Sequence, residues 1–148
     1  MQENKKIALF PGSFNPWHSG HELILKKALK LFDFIYVVVT YNPDKNNLTD
    51  NDVNYQFIKN ELKKINSTKI KVLQNKNKMT AELAKELKCE FLIRGIRNAE
   101  DFEYEKKLAY ANKHLNKDLE TVFFLTDFQY QGYRSILIRH QEKIKESK

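Results

Sequence analysis

The chain has 148 residues and a mass of 17.6 kDa, which fits a single domain spanning residues 1–148. A composition of 41% hydrophobic and 12% aromatic residues can fill a core, which excludes a disordered or fibrous protein, and the single cysteine excludes a scaffold held by internal disulfides. The net charge of +7 indicates an anionic partner only weakly, because the lysines are spread along the chain rather than massed in one block.

In chain order, short apolar runs alternate with segments whose apolar residues have helical spacing. The runs are rich in β-branched and aromatic residues and predict five strands, at 7–10, 34–40, 70–73, 91–93 and 121–125. The segments between and after them predict five helices: four at 21–31, 81–87, 100–115 and 136–144, and one, second in the chain, whose apolar inner face runs from residue 53 to residue 65. Thr49 or Asp50 can cap the second of these helices, and Thr80 can cap the third.

This alternation predicts an α/β fold, Rossmann-like and doubly wound, with a five-stranded parallel sheet and helices on both faces. In such a sheet ligands bind at the carboxyl ends of the strands, so a site is expected in the loops that follow the strands. The first apolar run, four residues that end before Pro11, is too short for a signal peptide or a membrane span. We therefore expect a cytoplasmic protein with no membrane partner.

The loop after the first strand reads GSFNPWHSGH, residues 12–21. Gly12 and Gly20 let the backbone approach a ligand, and the helix that begins here would offer free N–H groups and its positive dipole end to a phosphate. His18 and His21 lie three residues apart, so both rings can face one pocket and donate to phosphate oxygens. The alternative is a pair of surface or capping histidines. A zinc site would need a third ligand, so no metal ligand is predicted.

No GxGxxG or GxxxxGK[ST] sequence follows the first strand, which excludes the dinucleotide and P-loop fingerprints. The loop instead resembles the HxGH signature of the nucleotidyltransferase superfamily, whose members join a nucleoside monophosphate to a phosphate-bearing substrate. Nicotinate mononucleotide adenylyltransferases and glycerol-phosphate cytidylyltransferases have similar loops, so this motif indicates the superfamily rather than the member.

The loop after the fourth strand reads RGIRNAEDFEYE, residues 94–105. Arg94 and Arg97 flank Gly95 where the strand is predicted to end, so both guanidinium groups can address one polyanion. Acidic residues then open the next helix, where they suit the helix dipole and can balance the arginines. The alternative interpretation is a network of surface ion pairs, which contributes little to stability.

RGIRNAEDFEYE resembles the RGxRxxxDFEYE signature of bacterial phosphopantetheine adenylyltransferases, and the likeness extends from residue 7 to about residue 125. Members of that family convert ATP and 4′-phosphopantetheine to dephospho-CoA and pyrophosphate, with magnesium, in coenzyme A synthesis. They are typically homohexamers. The resemblance therefore implies a nucleotidyltransferase with ATP and 4′-phosphopantetheine as substrates, Mg²⁺ as cofactor and a homohexameric assembly.

The resemblance also implies roles for individual residues. The expected catalytic residues are the histidine that stabilises the transition state and two residues that hold the substrate phosphate: His21, Lys45 and Arg94. The expected substrate-binding residues are Ser13, Lys45, Thr80 and Arg94. The expected ATP-binding residues are Ser13, Phe14, His18, His21, Gly95, Ile96, Arg97, Glu105 and Ser135. Magnesium would sit mainly on phosphates and water, so no protein ligand is expected.

The chain departs from the family pattern at two places. The family usually has threonine where this chain has His18, and a serine-rich stretch where this chain reads GYRSILIR, residues 132–139, with only Ser135 in register. Three alternative functions remain: a nicotinate mononucleotide adenylyltransferase, a catalytically degenerate relative and a basic RNA-binding module. The first has no reason to carry RGIRNAEDFEYE. The last would not concentrate histidine, arginine and glycine in loops after strands, so no nucleic-acid partner is expected.

Overall fold

A parallel β-sheet flanked by helices forms the body of the computed structural model, which describes residues 4–42, 48–126 and 133–147. The strands are β1 (Ile7–Gly12), β2 (Phe34–Thr40), β3 (Ile70–Asn75), β4 (Phe91–Ile96) and β5 (Glu120–Leu125). The helices are α1 (Ser19–Leu29), α2 (Leu48–Lys63), α3 (Thr80–Glu86), α4 (Ala99–Leu115) and α5 (Tyr133–Glu146). Strand and helix alternate as the sequence predicts.

The strand order is β3-β2-β1-β4-β5, and every neighbouring pair is parallel. The chain builds outward from β1 to β3 and then crosses to β4 on the other side of β1. The order therefore reverses between β1 and β4, where an open α/β sheet offers a crevice to ligands. The predicted Rossmann-like, five-stranded parallel sheet is confirmed.

The two faces of the sheet carry separate apolar clusters. In β2, Val37 and Val39 belong to one cluster and Val38 to the other, as the alternation of side chains along a strand requires. The first cluster contains residues of α1 and α2: Ile24, Leu25, Ala28, Ile58 and Leu62. The second contains Ala81 and Ala84 of α3, and α4 packs against α3, β4 and β5. Because helices cover both faces, β2 is apolar along nearly its whole length.

The predicted end of the fourth strand is wrong. The sequence places Arg94 and Gly95 in a loop, but β4 continues to Ile96. Arg94 is aligned with Phe123 of β5, and Gly95 is aligned with the next residue of that strand. A charged residue followed by glycine looks like a turn, whereas pairing with β5 keeps this backbone extended. Arg94 therefore sits on a rigid strand rather than in a loop.

Two predicted helix starts are also wrong. α2 begins at Leu48, so Thr49 and Asp50 lie inside the helix instead of capping it. Thr80 is the first residue of α3, and the N-cap is Met79, which makes no side-chain capping bond. The preceding loop is closed by Asn75, whose side chain donates to the carbonyl of Lys78 at 2.9 Å and accepts from its N–H at 3.0 Å. That closure directs the chain into the helix without a hydroxyl cap.

Gly95 allows α1 to pack closely on β4. A β-carbon at this position would lie 2.4 Å from Cδ1 of Ile24, which is buried. We expect Gly95→Ala to lower the free energy of unfolding by about 1–2 kcal/mol, because overpacking outweighs the gain from a stiffer unfolded chain. Urea denaturation measures the change. The loss should be smaller in an Ile24→Val background, which lacks Cδ1; equal losses in both backgrounds would contradict this explanation.

Within the described ranges, no helix has the length and apolar character needed to cross a bilayer. α5 differs from the other helices because every described side chain from residue 135 to residue 147 is exposed. Its apolar residues Ile136, Leu137, Ile138 and Ile144 are between 38% and 57% exposed. This helix therefore presents an apolar surface that the described part of the chain leaves uncovered.

Candidate active site

A cavity of about 300 Å³ opens at the carboxyl edge of the sheet, beside the point where the strand order reverses. Residues of four strands, β1 to β4, and of two helices, α3 and α4, form its walls. Its lining includes Pro11 and Gly12 of β1, Asn75 of β3, Thr80 of α3, Arg94 of β4 and Leu108 and Asn112 of α4. The predicted site residues Thr80 and Arg94 are thus brought together, although they lie in different elements.

Arg94 is held by three hydrogen bonds at the edge of this cavity. Its Nε donates to Oε2 of Glu105 at 2.8 Å, and its Nη2 donates to Oε1 of the same residue at 2.7 Å. Its Nη1 donates to the carbonyl of Pro11 at 3.1 Å. The side chains of Arg94 and Glu105 are only 24% and 9% exposed. The alternative of a surface ion pair is therefore wrong for this pair.

Arg97 lies in a different environment. Its Nε donates to Oδ2 of Asp101 at 3.2 Å, the same oxygen accepts from its backbone N–H at 3.1 Å, and its side chain is 71% exposed. Asn98, the N-cap of α4, accepts from the N–H of Asp101 at 2.9 Å. This bond positions the carboxylate of Asp101 beside Arg97. The two arginines are thus bound by different acids, Arg94 at the cavity and Arg97 on an exposed helix start.

The loop after β1 is clamped by Asn54 of α2. The side-chain Nδ2 of Asn54 donates to the carbonyl oxygens of Ser13 and Phe14, at 2.7 Å and 2.8 Å. These bonds hold Phe14 in the left-handed backbone region, with φ of 46°, which is unusual for an aromatic residue. The backbone that carries Ser13 is therefore fixed by a residue about 40 positions further along the chain.

An aromatic cluster fills the space beneath this loop. The ring of Phe14 packs edge-on against Phe10, Trp17 and His21, with centroids 5.0 to 5.1 Å apart. Trp17 stacks on His21 at 5.4 Å and is 8% exposed, so it closes the loop rather than covering a ligand. Phe14 as a whole is only 4% exposed, so its ring serves to pack this cluster.

His18 and His21 form a capping box at the start of α1. Nδ1 of His18 accepts from the N–H of Gly20 at 3.0 Å, and Nδ1 of His21 accepts from the N–H of His18 at 3.2 Å. Because Nδ1 of each ring accepts one of these bonds, Nε2 is the ring nitrogen left to donate to a ligand. The capping alternative is confirmed, and it leaves each ring one donor for a ligand.

The same capping changes what the helix start can offer. The carbonyl of His18 accepts from the N–H groups of His21 and Glu22 at 3.0 Å and 3.2 Å. The imidazole of His18 accepts from the N–H of Gly20. The prediction of free N–H groups is therefore wrong for these three residues. The positive end of the helix dipole remains, and the imidazole donors stand beside it.

Burial lowers the pKa of His21 from 6.5 to about 4, and the charges of His18 and Arg97 add to the effect. At neutral pH the ring of His21 is therefore uncharged and acts as a hydrogen-bond donor through Nε2. Its stacking on Trp17 and its proximity to His18, with ring centroids 3.8 Å apart, keep the imidazole in this partly buried place.

The lowered pKa predicts a pH dependence of stability. Between pH 6.5 and about 4 the unfolded chain binds a proton at His21 that the folded chain does not, so the stabilisation is complete above pH 6.5 and is lost as the pH falls. His21→Gln removes the titration and keeps an oxygen that can accept from the N-cap. Urea denaturation at several pH values should show the two unfolding free energies diverging over this range. Parallel profiles would contradict the prediction.

The remaining predicted residues are less informative about the site. Ile96 is buried, and its carbonyl accepts from the N–H of Thr126 at 3.1 Å. Ser135 lies in the first turn of α5 and is exposed, and its side chain makes no hydrogen bond to any described residue. Lys45 lies outside the described residues. Among the residues that are described, no three histidine, cysteine, aspartate or glutamate side chains form a group that could hold a metal ion.

Two polar residues of the site were missed by the sequence reasoning. Asn112 is 6% exposed, lines the cavity, and its side chain makes no hydrogen bond within the described part of the chain. A signal existed for it, because Glu105, Leu108 and Asn112 follow the spacing of one helix face. Asn54 had no such signal, since its partners are main-chain carbonyls of a distant loop.

Comparison with known proteins agrees with both loop motifs. A family model described as cytidylyltransferase-like matches residues 9–141. The phosphopantetheine adenylyltransferase of Mycoplasma capricolum subsp. capricolum is 43% identical over 137 residues, which are 93% of this chain and 96% of the relative. That of Cytophaga hutchinsonii is 44% identical over 138 residues, 93% of this chain and 90% of the relative.

The crystal structure of the lipopolysaccharide core biosynthesis protein from Thermoplasma volcanium has a TM-score of 0.58 at 18% identity. The match covers 86% of this chain and 100% of that one, and it supports the fold alone. The two adenylyltransferases are identical to this chain at more than two-fifths of the aligned residues, and each alignment covers nearly the whole of this sequence. The chain therefore belongs to the phosphopantetheine adenylyltransferases, within the cytidylyltransferase-like nucleotidyltransferases, as its two loop signatures predict.

Proposed function

We propose that this chain transfers the adenylyl group of ATP to 4′-phosphopantetheine, and so forms dephospho-CoA and releases pyrophosphate. One observation carries the proposal: a largely buried, fixed arginine faces a cavity at the strand-order reversal, next to a loop whose two histidines each keep Nε2 for a ligand. The relatives named above carry the activity in their name. A cation can bind the phosphate group of 4′-phosphopantetheine, and hydrogen-bond donors can stabilise the phosphoryl oxygens of a nucleotide.

The acceptor phosphate is the proposed ligand of Arg94, with Lys45 as the second cation. The arm of phosphopantetheine carries two amides and a hydroxyl, so it needs polar partners in the cavity. Thr80 supplies a hydroxyl to the cavity wall, and Asn112 supplies an amide whose side-chain atoms make no hydrogen bond to the described residues. An amide can donate and accept at once, which matches the amides of the arm.

ATP is the proposed ligand of the loop after β1 and of the end of β4. Ser13, His18 and His21 would contact its phosphates from the loop, with Arg97 turning from Asp101 toward them. Phe14, Gly95 and Ile96 would contact the nucleotide through their backbones, because their side chains are buried or absent. Ser135 would add a hydroxyl from the start of α5.

The reaction needs no nucleophilic side chain, because an oxygen of the acceptor phosphate is itself the nucleophile. That oxygen forms a bond to the α-phosphorus of ATP as the bond from this phosphorus to the bridging oxygen breaks, and pyrophosphate leaves. The protein contributes in-line orientation and neutralisation of charge. His21 would donate to the α-phosphoryl oxygens through Nε2. ATP would enter as its magnesium complex, in which phosphates and water hold the ion.

Pyrophosphate release from MgATP tests the proposal. The chain is expected to turn over with 4′-phosphopantetheine and not with nicotinate mononucleotide, and His21→Ala serves as the inactive control. Turnover with the mononucleotide alone would contradict the proposed substrate. Binding of both substrates without turnover would identify a degenerate relative instead.

We further propose a cytoplasmic homohexamer. The uncovered apolar surface of α5 supports self-association, because exposed apolar residues of this number on one helix are normally covered by a partner. Leu125, at the end of β5, is 70% exposed and is another apolar residue that the described chain leaves uncovered. A second copy is the partner that family membership favours.

Replacing Leu137 and Ile144 together by glutamine is expected to break at least one contact between subunits. The two residues lie seven positions apart on one face of α5, and each is 57% exposed. Light scattering after size exclusion should give a mass six times 17.6 kDa for the unaltered chain and a smaller mass for the variant. Arg139→Gln with Glu146→Gln alters the opposite face at constant net charge and should leave the mass unchanged. A hexameric Leu137/Ile144 variant would contradict the prediction.

A further inference from the structure

We propose that Asn54 is a positioning residue for the reaction, which holds the loop after β1 in the geometry from which Ser13 contacts the phosphates. This inference rests on the proposed function, in which that loop binds the phosphates of ATP. It depends on three features of the described residues: the two bonds that Asn54 makes, the backbone conformation that these bonds hold and the attachment of α2 to the sheet.

Asn54 is the partner of two successive carbonyl groups in the loop. Its side chain is half-buried, and its amide nitrogen carries two N–H donors. This nitrogen lies 2.7 Å from the carbonyl oxygen of Ser13 and 2.8 Å from that of Phe14. No other hydrogen bond to these two oxygens comes from the described residues. Replacing the amide by an apolar group therefore leaves two carbonyl groups of the loop without a partner.

The bonds hold a backbone conformation that is costly for this residue type. Phe14 has φ of 46°, in the left-handed region that residues with a β-carbon rarely adopt. Such a conformation persists only where the surroundings over-determine it. The carbonyl groups of Ser13 and Phe14 belong to the peptide units on the two sides of Phe14, so Asn54 fixes the orientation of both units. The direction in which Ser13 presents its hydroxyl group therefore depends on Asn54.

α2 gives Asn54 a fixed position relative to the sheet. In the first two turns of this helix, Oδ1 of Asn51 and Oδ1 of Asp52 each accept from Nε2 of Gln74 at 2.6 Å. Gln74 belongs to β3, which is paired with β2. One turn after Asn54, the fully buried Ile58 anchors the helix in the first apolar cluster. The bonds from Asn54 to the loop therefore tie the loop to the body of the fold.

In-line transfer depends on the direction of the phosphate donors as well as on their presence. A reacting group displaced by about 1 Å can still bind, while the reaction slows by as much as about 10². A loop with two unpaired carbonyl groups keeps its phosphate donors and loses their fixed direction. We therefore expect the loss of the Asn54 amide to lower kcat and to change both KM values little.

The experiment replaces Asn54 by leucine, which has nearly the same shape and lacks both donors. The kcat for pyrophosphate release should fall about tenfold, while the KM for ATP and that for 4′-phosphopantetheine should each change less than about threefold. Asn60→Leu is the matched control, because Asn60 is an exposed residue of the same helix whose side chain makes no hydrogen bond to any described residue. The control should change none of these constants. If Asn54→Leu does not fold, Asn54→Gln keeps the amide on a longer stem and should show a smaller fall in kcat, again with little change in KM.

A double-variant cycle tests whether Asn54 acts through Ser13. Ser13→Ala alone should also lower kcat about tenfold, because the phosphates lose a donor. In that background Asn54→Leu should add less than about a threefold fall, since the hydroxyl group that it positions is gone. Equal falls in both backgrounds would make the role of Asn54 a general structural one and would overturn the inference. So would a kcat of Asn54→Leu within about threefold of that of the unaltered chain.

Hydrogen exchange tests the hold on the loop without turnover. The N–H groups of His18 and Gly20 are bonded to imidazole nitrogens of the same loop, so their protection reports how firmly the loop is held. In unliganded Asn54→Leu, mass spectrometry should show exchange in residues 13–21 that is at least about threefold faster, with no change in Asn60→Leu. Unchanged exchange in both variants would overturn the inference. Lack of turnover by the unaltered chain would count against the proposed function instead, and exchange would still decide whether Asn54 holds the loop.

Discussion

Replacing His21 by alanine is expected to reduce kcat for pyrophosphate release by about 10²–10³, with changes of less than about threefold in the KM of either substrate. The capping bond to His18 leaves the proton of the ring on Nε2, and a pKa of about 4 keeps the ring neutral at pH 7. A neutral donor gains most from the charge that grows on the α-phosphoryl oxygens during transfer. Initial rates with both substrates varied measure the effect.

Two variants separate this catalytic role from the capping role of the same ring. His21→Gln keeps an acceptor for the N–H of His18, so it should recover the stability that alanine loses and still show reduced kcat. His114→Ala changes an exposed histidine in the last turn of α4 and should leave kcat unchanged. An alanine variant of His21 with kcat within threefold of the unaltered chain would contradict the mechanism.

The fold follows from local patterns because each element carries its own signal. The apolar run FIYVVVT predicts a strand covered on both faces, and β2 has the predicted bounds with its valines in both apolar clusters. The end of β4 was not predictable in this way. Arg94 and Gly95 look like a turn when read alone, and only the alignment with β5 shows them to be strand residues.

The site was predictable as a set of residue types and loops but not as a set of contacts. The sequence placed histidines after β1 and arginines near the end of β4, and the structure brings Arg94 to the cavity with Thr80. The partner of Arg94 was not predictable, since four acids follow within eleven residues and only tertiary packing selects Glu105. Asn54 depends on packing even more, because it binds carbonyl oxygens about 40 residues away.

In the proposed mechanism the two phosphates meet different kinds of donor. For the acceptor phosphate, Arg94 offers a guanidinium that is paired with Glu105 and Pro11 and keeps two N–H donors. For the α-phosphoryl oxygens, His21 offers an imidazole that burial keeps neutral. A neutral donor binds the ground-state phosphates less strongly than a cation would, so more of its interaction is reserved for the transition state.

Replacing Arg94 by alanine is expected to reduce kcat/KM for 4′-phosphopantetheine by about 10²–10³, mostly through KM, because the acceptor phosphate loses a bidentate cation. Calorimetry should show the same loss of affinity for 4′-phosphopantetheine and little change for pantetheine. Arg139→Lys, at an exposed position of α5, is the control and should leave both quantities unchanged. A loss shared equally by ATP would contradict the assignment of Arg94 to the acceptor.

The same variant should also be less stable, since it leaves the buried carboxylate of Glu105 without its partner. Breaking a buried ion pair from one side typically lowers the free energy of unfolding by about 3–5 kcal/mol. Adding Glu105→Gln to Arg94→Ala removes the unpaired charge, so the double variant should be more stable than Arg94→Ala and still bind 4′-phosphopantetheine weakly. The double variant would then regain free energy of unfolding without regaining affinity for 4′-phosphopantetheine. A double variant that regains affinity would show that Arg94 acts on the phosphate only by neutralising Glu105.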